Sequence, residues 1–475
     1  MSVSVPVDAV DSVVLSSPLV SMVVKGLHGN RGLLPRARAS DSCFLPALPG
    51  TDVLIECEVI REVVVDVVHE RCAALDVSKK DAKVCVRCPG KRRGTFTSEV
   101  TTWGATTNQV LALREFLLAA EVTAVVIEAT GDYWKPFYYL LEDSLNVLLV
   151  NARHVKNLPG RKTDVSDAQW LAQLGAHGLV RGSLVPPEPV RNLRDLTRTR
   201  MRFIRERGRE VQRLEKLLED AGIKLSAVAS DITGVSGRAM LEALIAGQHD
   251  PAVLADLAKR RMRSKIPELT EALTGRFQEH HGFLARLHLD HIDRLSASID
   301  ALTARIDQVI APFQAELELL ATIPGIARHN AEVIVAEIGG HIGCFPSAGH
   351  LASWAGVAPG QHESAGKKKP VRTRPGNSYL KAALGIAAFA AAHSNGTYLQ
   401  ARYRRLSARR GPMRALVAIE HSLLTAIWHM LTTASPYQEL GGDYYARLDP
   451  ERARNRIVRQ ANAIGLTVRF EPIEA

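Results

Sequence analysis

Apolar residues in the first half of the chain come in short blocks, each closed by a turn. Cys72–Val77 (CAALDV) is one such block, with Asp76 near its end; Ser78-Lys79-Lys80-Asp81 makes a turn and Ala82–Val86 a second strand. Thr95–Glu99 reads as a third strand and Val110–Ala120 as an amphipathic helix. Val122–Ile127 (VTAVVI) has the unbroken apolar pattern of a buried parallel strand, and it runs directly into Glu128-Ala129-Thr130-Gly131. Tyr133–Glu142 is the next helix and Asn146–Asn151 the next strand. Arg161–Ala172 (RKTDVSDAQWLA) then opens a helix with the core period Ala168, Leu171, Leu174. The order β-β-β-α-β-α-β-α predicts a mixed sheet with helices on its faces over about residues 71–185.

Beyond Pro186, Pro187 and Pro189 the period changes to that of helices. Leu193, Leu196, Ile204, Val211, Leu214 and Leu217 form one apolar stripe, and Leu295, Ile299, Leu302, Ile306 and Val309 a second. The second, on a helix from about Phe283 to Ile310, has coiled-coil spacing; it either folds back on the first or pairs with another subunit. This helical segment covers 188–317, with short Gly-separated helices in Ala227–Leu273. Leu319–Gly339 (LLATIPGIARHNAEVIVAEIG) reads as helix, Pro-Gly-Ile turn and helix, either a helix-hairpin-helix with Gly325 against a phosphate or an ordinary helical hairpin. Phe345–Ala358 is helical, a loop with Ser364 follows, and Ser378–Ala392 is a helix of small residues. The mostly α carboxy-terminal domain spans 318–440, and 441–475 is a peripheral tail. Residues 1–70, with Pro and Ser scattered and no clean period, are a poorly ordered leader or the product of a misassigned start codon; Val63–Val68 is a candidate edge strand. They lack the basic start of a signal peptide. No apolar run reaches about 18 residues, so no membrane span is expected.

Charge sharpens this. Residues 1–70 hold five Lys/Arg against nine Asp/Glu, which leaves 55 basic and 41 acidic residues in the rest. The body is therefore suited to a polyanion. Arg191–Arg213 carries nine arginines against Asp195, Glu206 and Glu210, so Arg191, Arg194, Arg198 and Arg205 are expected to meet phosphate rather than only water. Lys367, Lys368, Arg372 and Arg374 form another basic cluster, and Arg402–Arg410 a further strip. Six scattered cysteines argue for a reducing compartment; the expected location is the bacterial cytoplasm, at the nucleoid. Cys85-Val86-Arg87-Cys88 is half of a zinc motif with no second half, and His280, His281, His288 and His291 read as surface or seam residues.

The chemistry lies in the acids. Asp164 and Asp167 stand three apart, on one face of a helix start, where two carboxylates repel unless a cation neutralises them. Asp76 and Glu128 each end an apolar strand, where a charge is costly unless paired or coordinated; for Asp76 the alternative is a cap on the turn. Four carboxylates converging from two strands and a helix can hold two Mg²⁺ ions about 4 Å apart, the arrangement for in-line displacement at phosphorus.

The segments ALDVSKK, VVIEATGDYW and RKTDVSDAQWLA resemble the DEDD amino-terminal domain of bacterial insertion-sequence transposases. IPGI, SWAGVAP, HESAGK and GNSYLKAAL resemble the second domain of the same proteins, the family named for insertion sequence one hundred and ten. The resemblance implies a ribonuclease-H-like, RuvC-like α/β domain with Asp76, Glu128, Asp164 and Asp167 as its metal-binding tetrad. It also implies Ser364 as nucleophile, a phosphoserine–DNA link, a bridge RNA that pairs with donor and target DNA, and a tetramer in which one chain's carboxylates meet another's serine. The family pattern has no counterpart of the first seventy residues. Two rivals stand beside this reading: a metal-dependent Holliday-junction-type endonuclease with water as nucleophile, and a non-catalytic nucleic-acid-binding scaffold.

Overall fold

The computed structural model describes residues 67–471 apart from 93, 152–165, 341, 365 and 370. The leader through residue 66, with most of the candidate edge strand, lies outside the described residues, as does Asp164. The first domain holds strands β1 (Cys72–Val77), β2 (Asp81–Pro89), β3 (Phe96–Gly104), β4 (Ala124–Glu128) and β5 (Val147–Val150). Helices α1 (Thr107–Ala119), α2 (Trp134–Leu141) and α3 (Ser166–Ala176) alternate with them. The sheet order is β3-β2-β1-β4-β5; β1, β2 and β3 are antiparallel neighbours, while β1, β4 and β5 run parallel. The mixed sheet is thus the expected one, with β3 carried on to Gly104 as the partner of Asp81.

Strand alternation sorts the side chains to two faces. Ala73, Leu75, Val77, Val125 and Ile127 pack with Leu113, Leu117 and Phe137 of α1 and α2. Cys72, Ala74, Cys85, Ala124 and Val126 pack with Ala168, Leu171 and Ala172 of α3. The CxxC pair is three apart on one strand, so Cys85 enters the α3 core and Cys88 borders the opposite one; the two sulfurs cannot share a metal. Burial pushes the Cys72 thiol up to about 12, leaving it protonated at neutral pH.

The arginine-rich helix is α4 (Glu188–Asp220). Four short helices follow: α5 (Leu225–Val228), α6 (Val235–Ile245), α7 (Pro251–Asp256) and α8 (Ile266–Ala272); then comes α9 (Glu279–Val309). Leu193 shares a core with Ile306 and Ile310, Arg207 bonds Ser296 at 3.3 Å, His288 bonds Glu210 at 2.7 Å, and His281 bonds Asp220 at 3.1 Å. As numbers rise along α4 they fall along α9, so the second stripe folds back on the first as an antiparallel pair. His281 Nδ1 accepts the Gln278 N–H, so its Nε2 proton goes to Asp220. That arrangement caps α9, although Asp220, His280 and His281 bring donor atoms within 4.8 Å. The short helices close a core of their own at the far end of the pair, on Leu214, Leu218, Leu241, Leu269 and Leu289.

The carboxy-terminal core gathers α10 (Gln314–Ala321), α11 (Arg328–Ile338), α12 (Ala348–Ala355), α13 (Ser378–His393) and α15 (Pro412–Thr433), with α14 (Tyr398–Arg410) alongside. α11 is central, buried from Asn330 to Ile338. α15 is long and apolar enough to cross a membrane by length and composition. The expectation of no such segment looked for an uninterrupted run, and Arg414 and Glu420 interrupt this one. Ile419, Leu423, Leu424 and Ile427 are buried in the core, which gives the apolar surface its partner. The tail carries α16 (Tyr444–Leu448) and α17 (Pro450–Ala463).

Candidate active site

Three of the four predicted acids come together through strand register and helix direction. Leu75 pairs with Ile127, so one step further along the parallel strands Asp76 stands beside Glu128. Both are half-buried, and both continue the series Cys72, Ala74 and Ala124, Val126 on the α3 face. Across the antiparallel pair, Asp76 faces Lys83, whose Nζ donates to Thr102 at 2.7 Å.

The direction of α3 follows from its far end. Val68 and His69 N–H groups donate to the Ala176 carbonyl at 2.8 and 2.9 Å, which sets the helix end against the start of β1. A Cβ on Gly175 would lie 3.0 Å from Cys72 Sγ and 2.5 Å from Val126 Cγ2, so the helix rests directly on the sheet there. From Gly175 back to Asp167 is about 12 Å of helix, and from Cys72 on to Asp76 about 13 Å of strand. Asp167, in the first turn of α3, therefore stands at the level of Asp76 and Glu128.

Gly175→Ala tests this seating. Alanine gains about 1 kcal/mol of helix propensity, but an added methyl at 2.5 Å is overpacking, which costs about 1–3 kcal/mol. The expected result is a lower melting temperature and a loss of strand cleavage larger than the melting shift alone explains, because α3 carries Asp167. A variant as stable and active as wild type would show that α3 has room to move without disturbing the acids.

The residues fit a divalent cation in their donor chemistry: carboxylate oxygens on two adjacent strand ends and on the first turn of a helix are hard ligands of the kind Mg²⁺ takes.

Ser364 lies outside the sheet domain. It lies on β6 (Glu363–Ser364), which pairs with β7 (Lys367–Lys368) as a small antiparallel hairpin: Ser364 stands opposite Lys367, and Gly366 turns at φ +73°. Ser364 and Lys367 are exposed, as are Arg372 and Arg374. The loop that bears the hairpin is pinned at its base. Gly356, at φ +74°, ends α12, and a Cβ there would sit 2.6 Å from the Arg374 carbonyl and 2.8 Å from Gly376 N; only glycine allows this crossing. Lys381 of α13 donates to the Gly356 carbonyl at 3.3 Å and to Thr373 Oγ1 at 3.1 Å, tying both legs together. Asn377 caps α13 by accepting from the Tyr379 and Leu380 N–H groups. Beside the loop's legs opens a cavity of about 930 Å³, whose lining includes Gly360, Arg372, Thr373, Arg402, Arg414 and His421.

The expected phosphate contacts on α4 need correcting. Arg194 donates to the carbonyls of Ala336 and Glu337 at 3.1 and 2.6 Å, capping the end of α11. Arg198 makes two 2.7 Å bonds to the Glu337 carboxylate, and Arg200 is buried on Glu332 at 2.6 Å. Arg191 bonds Glu142 at 2.8 Å and covers the Tyr139 ring of α2. The first turns of α4 thus stitch the sheet domain to the serine domain, and of the four arginines only Arg205 faces solvent. Gly325 also has a packing reason: at φ +95° it lies where a Cβ would meet the Ala387 carbonyl and Ala391 N of α13 at 2.6 Å. Glu332 and Glu337 were missed in the sequence, though two acids inside the apolar run of α11 are a signal that cations must reach them.

An acid-edged sheet and an exposed serine among cations are joined by a charged helix, the arrangement expected of a protein that acts on nucleic acid. Residues 73–223 match the family model of the DEDD transposase domain of IS110, described as "Transposase", and residues 317–404 that of "Transposase IS116/IS110/IS902 family". The transposase for insertion sequence element IS1111A of Coxiella burnetii is 24% identical over 338 residues, 67% of this chain and 80% of that protein. The pilin gene-inverting protein of Moraxella bovis is 30% identical over 156 residues, 32% of this chain and 48% of that protein. An IS110 element protein of Streptomyces coelicolor is 27% identical over 157 residues, covering 31% and 38% of the two chains. The chain belongs to the IS110 family of transposases, and it is a DNA transposase.

Proposed function

We propose that this transposase cleaves and rejoins DNA by transesterification at Ser364, assisted by Asp76, Glu128, Asp164 and Asp167 as Mg²⁺ ligands. The observation that carries the reading is the gathering of Asp76, Glu128 and Asp167 on one face of the sheet, at the ends of β1 and β4 and the start of α3. The sheet order supports a ribonuclease-H-like, RuvC-like fold for this body.

In the reaction the Ser364 oxygen forms a bond to a DNA phosphorus and the bond from phosphorus to one deoxyribose oxygen breaks. The serine proton leaves to solvent base and the departing oxygen takes one up. The phosphodiester becomes a phosphoserine ester, so bond energy is kept and a second DNA hydroxyl can reverse the step without ATP. Lys367, directly across the hairpin, and Arg372 and Arg374 on the loop's return leg supply positive charge for the phosphate. Bound Mg²⁺ would stabilise the charge that builds on phosphate oxygens. The carboxylates and the serine sit beside different cores of one compact unit, and the resemblance of the two segment sets supports a composite site built between subunits of a tetramer. Resemblance of the two segment sets supports a bridge RNA as guide.

The test is a denaturing gel for protein covalently joined to labelled element-end DNA, with Mg²⁺ and the element's noncoding RNA. Wild type should give a shifted band, lost with Ser364→Ala, with EDTA and without the RNA. Free cleaved DNA from both proteins would remove the serine's role and leave a metal nuclease.

A further inference from the structure

The tail read as peripheral forms one wall of a cationic groove. α14 and α17 flank a cleft of about 1000 Å³ lined by Arg404, Arg405, Arg409, Arg452, Arg456 and Arg459, with Asp449 as its lining carboxylate. The groove is held open by a fixed joint. Gly442 N donates to the Gly396 carbonyl at 2.7 Å, the Tyr398 and Tyr445 rings stack at 5.8 Å, and Arg402 bonds both phenol oxygens. Ala461 is the buried residue of α17, so the helix stands off the body instead of packing into it. Asp449 caps α17 through the Arg452 N–H, so its charge already has a task. Among the described residues the side chains of Arg404, Arg409, Arg452 and Arg456 have no ion pair or hydrogen bond, unlike Arg191, Arg194, Arg198 and Arg200 of α4.

We infer that this groove binds the phosphate backbone of duplex DNA, independent of sequence. Six guanidinium groups facing each other across a cleft with one acid repel one another, and a polyanion is the ligand that relieves this. Single-stranded RNA or DNA is held by stacking bases on open aromatic faces. Here the lining aromatic, Tyr445, is covered by Tyr398 on one side and by the Arg405 guanidinium, 4.5 Å away, on another. The groove therefore offers charge without a stacking platform, which suits a duplex read through its backbone. The family match ends at Arg404, so α17 adds this wall outside the matched domains. The inference rests on the family's action on DNA and not on the roles of Ser364 or the acids.

The experiment measures binding of the full chain to labelled duplex DNA of unrelated sequence, in EDTA, across a salt series. The triple variant Arg409→Gln, Arg452→Gln, Arg456→Gln should bind at least about tenfold more weakly, with the log–log salt slope shallower by about 2–3. A control triple of exposed arginines scattered outside the groove, Arg92→Gln, Arg261→Gln, Arg294→Gln, should change the slope far less, and Arg→Lys at the three groove positions should keep most of the affinity. Equal losses in both Gln triples, or none in either, would overturn the groove as a site. So would loss of binding to single-stranded RNA with duplex DNA binding retained. Because no cleavage is scored, failure here is separable from failure of the serine chemistry.

Discussion

Asp76→Asn is expected to lower DNA strand cleavage by about a thousandfold or more while leaving the fold intact. Asparagine keeps the shape of the side chain at the end of β1 and removes its charge. If the acids beside it hold Mg²⁺, several kcal/mol of transition-state stabilisation goes with that charge, at about 1.4 kcal/mol per factor of ten. The fold should largely survive, because asparagine keeps the size and shape of the side chain at a half-buried strand end. A readout without catalysis separates the two effects. In EDTA the variant should melt close to the wild-type temperature. With Mg²⁺ at a hundred times its dissociation constant, wild type should gain about 2.7 kcal/mol and the variant much less. Cleavage at the wild-type rate in Asp76→Asn would remove this residue from the reaction.

Glu337→Gln is expected to destabilise the carboxy-terminal core by about 3–5 kcal/mol. The carboxylate is fully buried and receives two bonds from Arg198 and one from Asn377 at 2.6 Å, with Arg194 at 3.4 Å. Neutralising it leaves two guanidinium groups facing an amide that can accept through only one oxygen. The effect reaches the serine loop, since Asn377 both bonds Glu337 and caps α13 just past the loop's base. Urea unfolding followed by the fluorescence of Trp354 and Trp428, which border that core, measures the loss. A change under about 1 kcal/mol would mean that the hub only replaces hydration it displaces.

Much of the sheet domain is legible in the sequence because its strands are buried and its acids break apolar runs. Asp76 and Glu128 stand out for the same reason that they come together: each ends a strand whose inward residues are apolar. The arginine stripe misleads because its partners, Glu332 and Glu337, lie more than a hundred positions away in a helix that itself reads as apolar. Period and charge alone cannot tell a guanidinium bound to phosphate from one bound to a distant carboxylate. Ser364 is visible only by resemblance, since a hairpin of two-residue strands has no period to read. Gly356 and Gly376 show why the flanking segments SWAGVAP and GNSYLKAAL are fixed: their backbones touch.

The α4–α9 pair carries one core at each end, one on Leu193 and Ile306 and the other on Leu214 and Leu289. Between them the seam is partly polar, with Thr197, Arg200 and Glu210 buried along α4. Two cores joined through such a seam behave as separate cooperative units. Heating would melt them at different temperatures, the calorimetric enthalpy would exceed the van't Hoff value, and amides around Leu241 and Leu269 would exchange with solvent independently of those in α11.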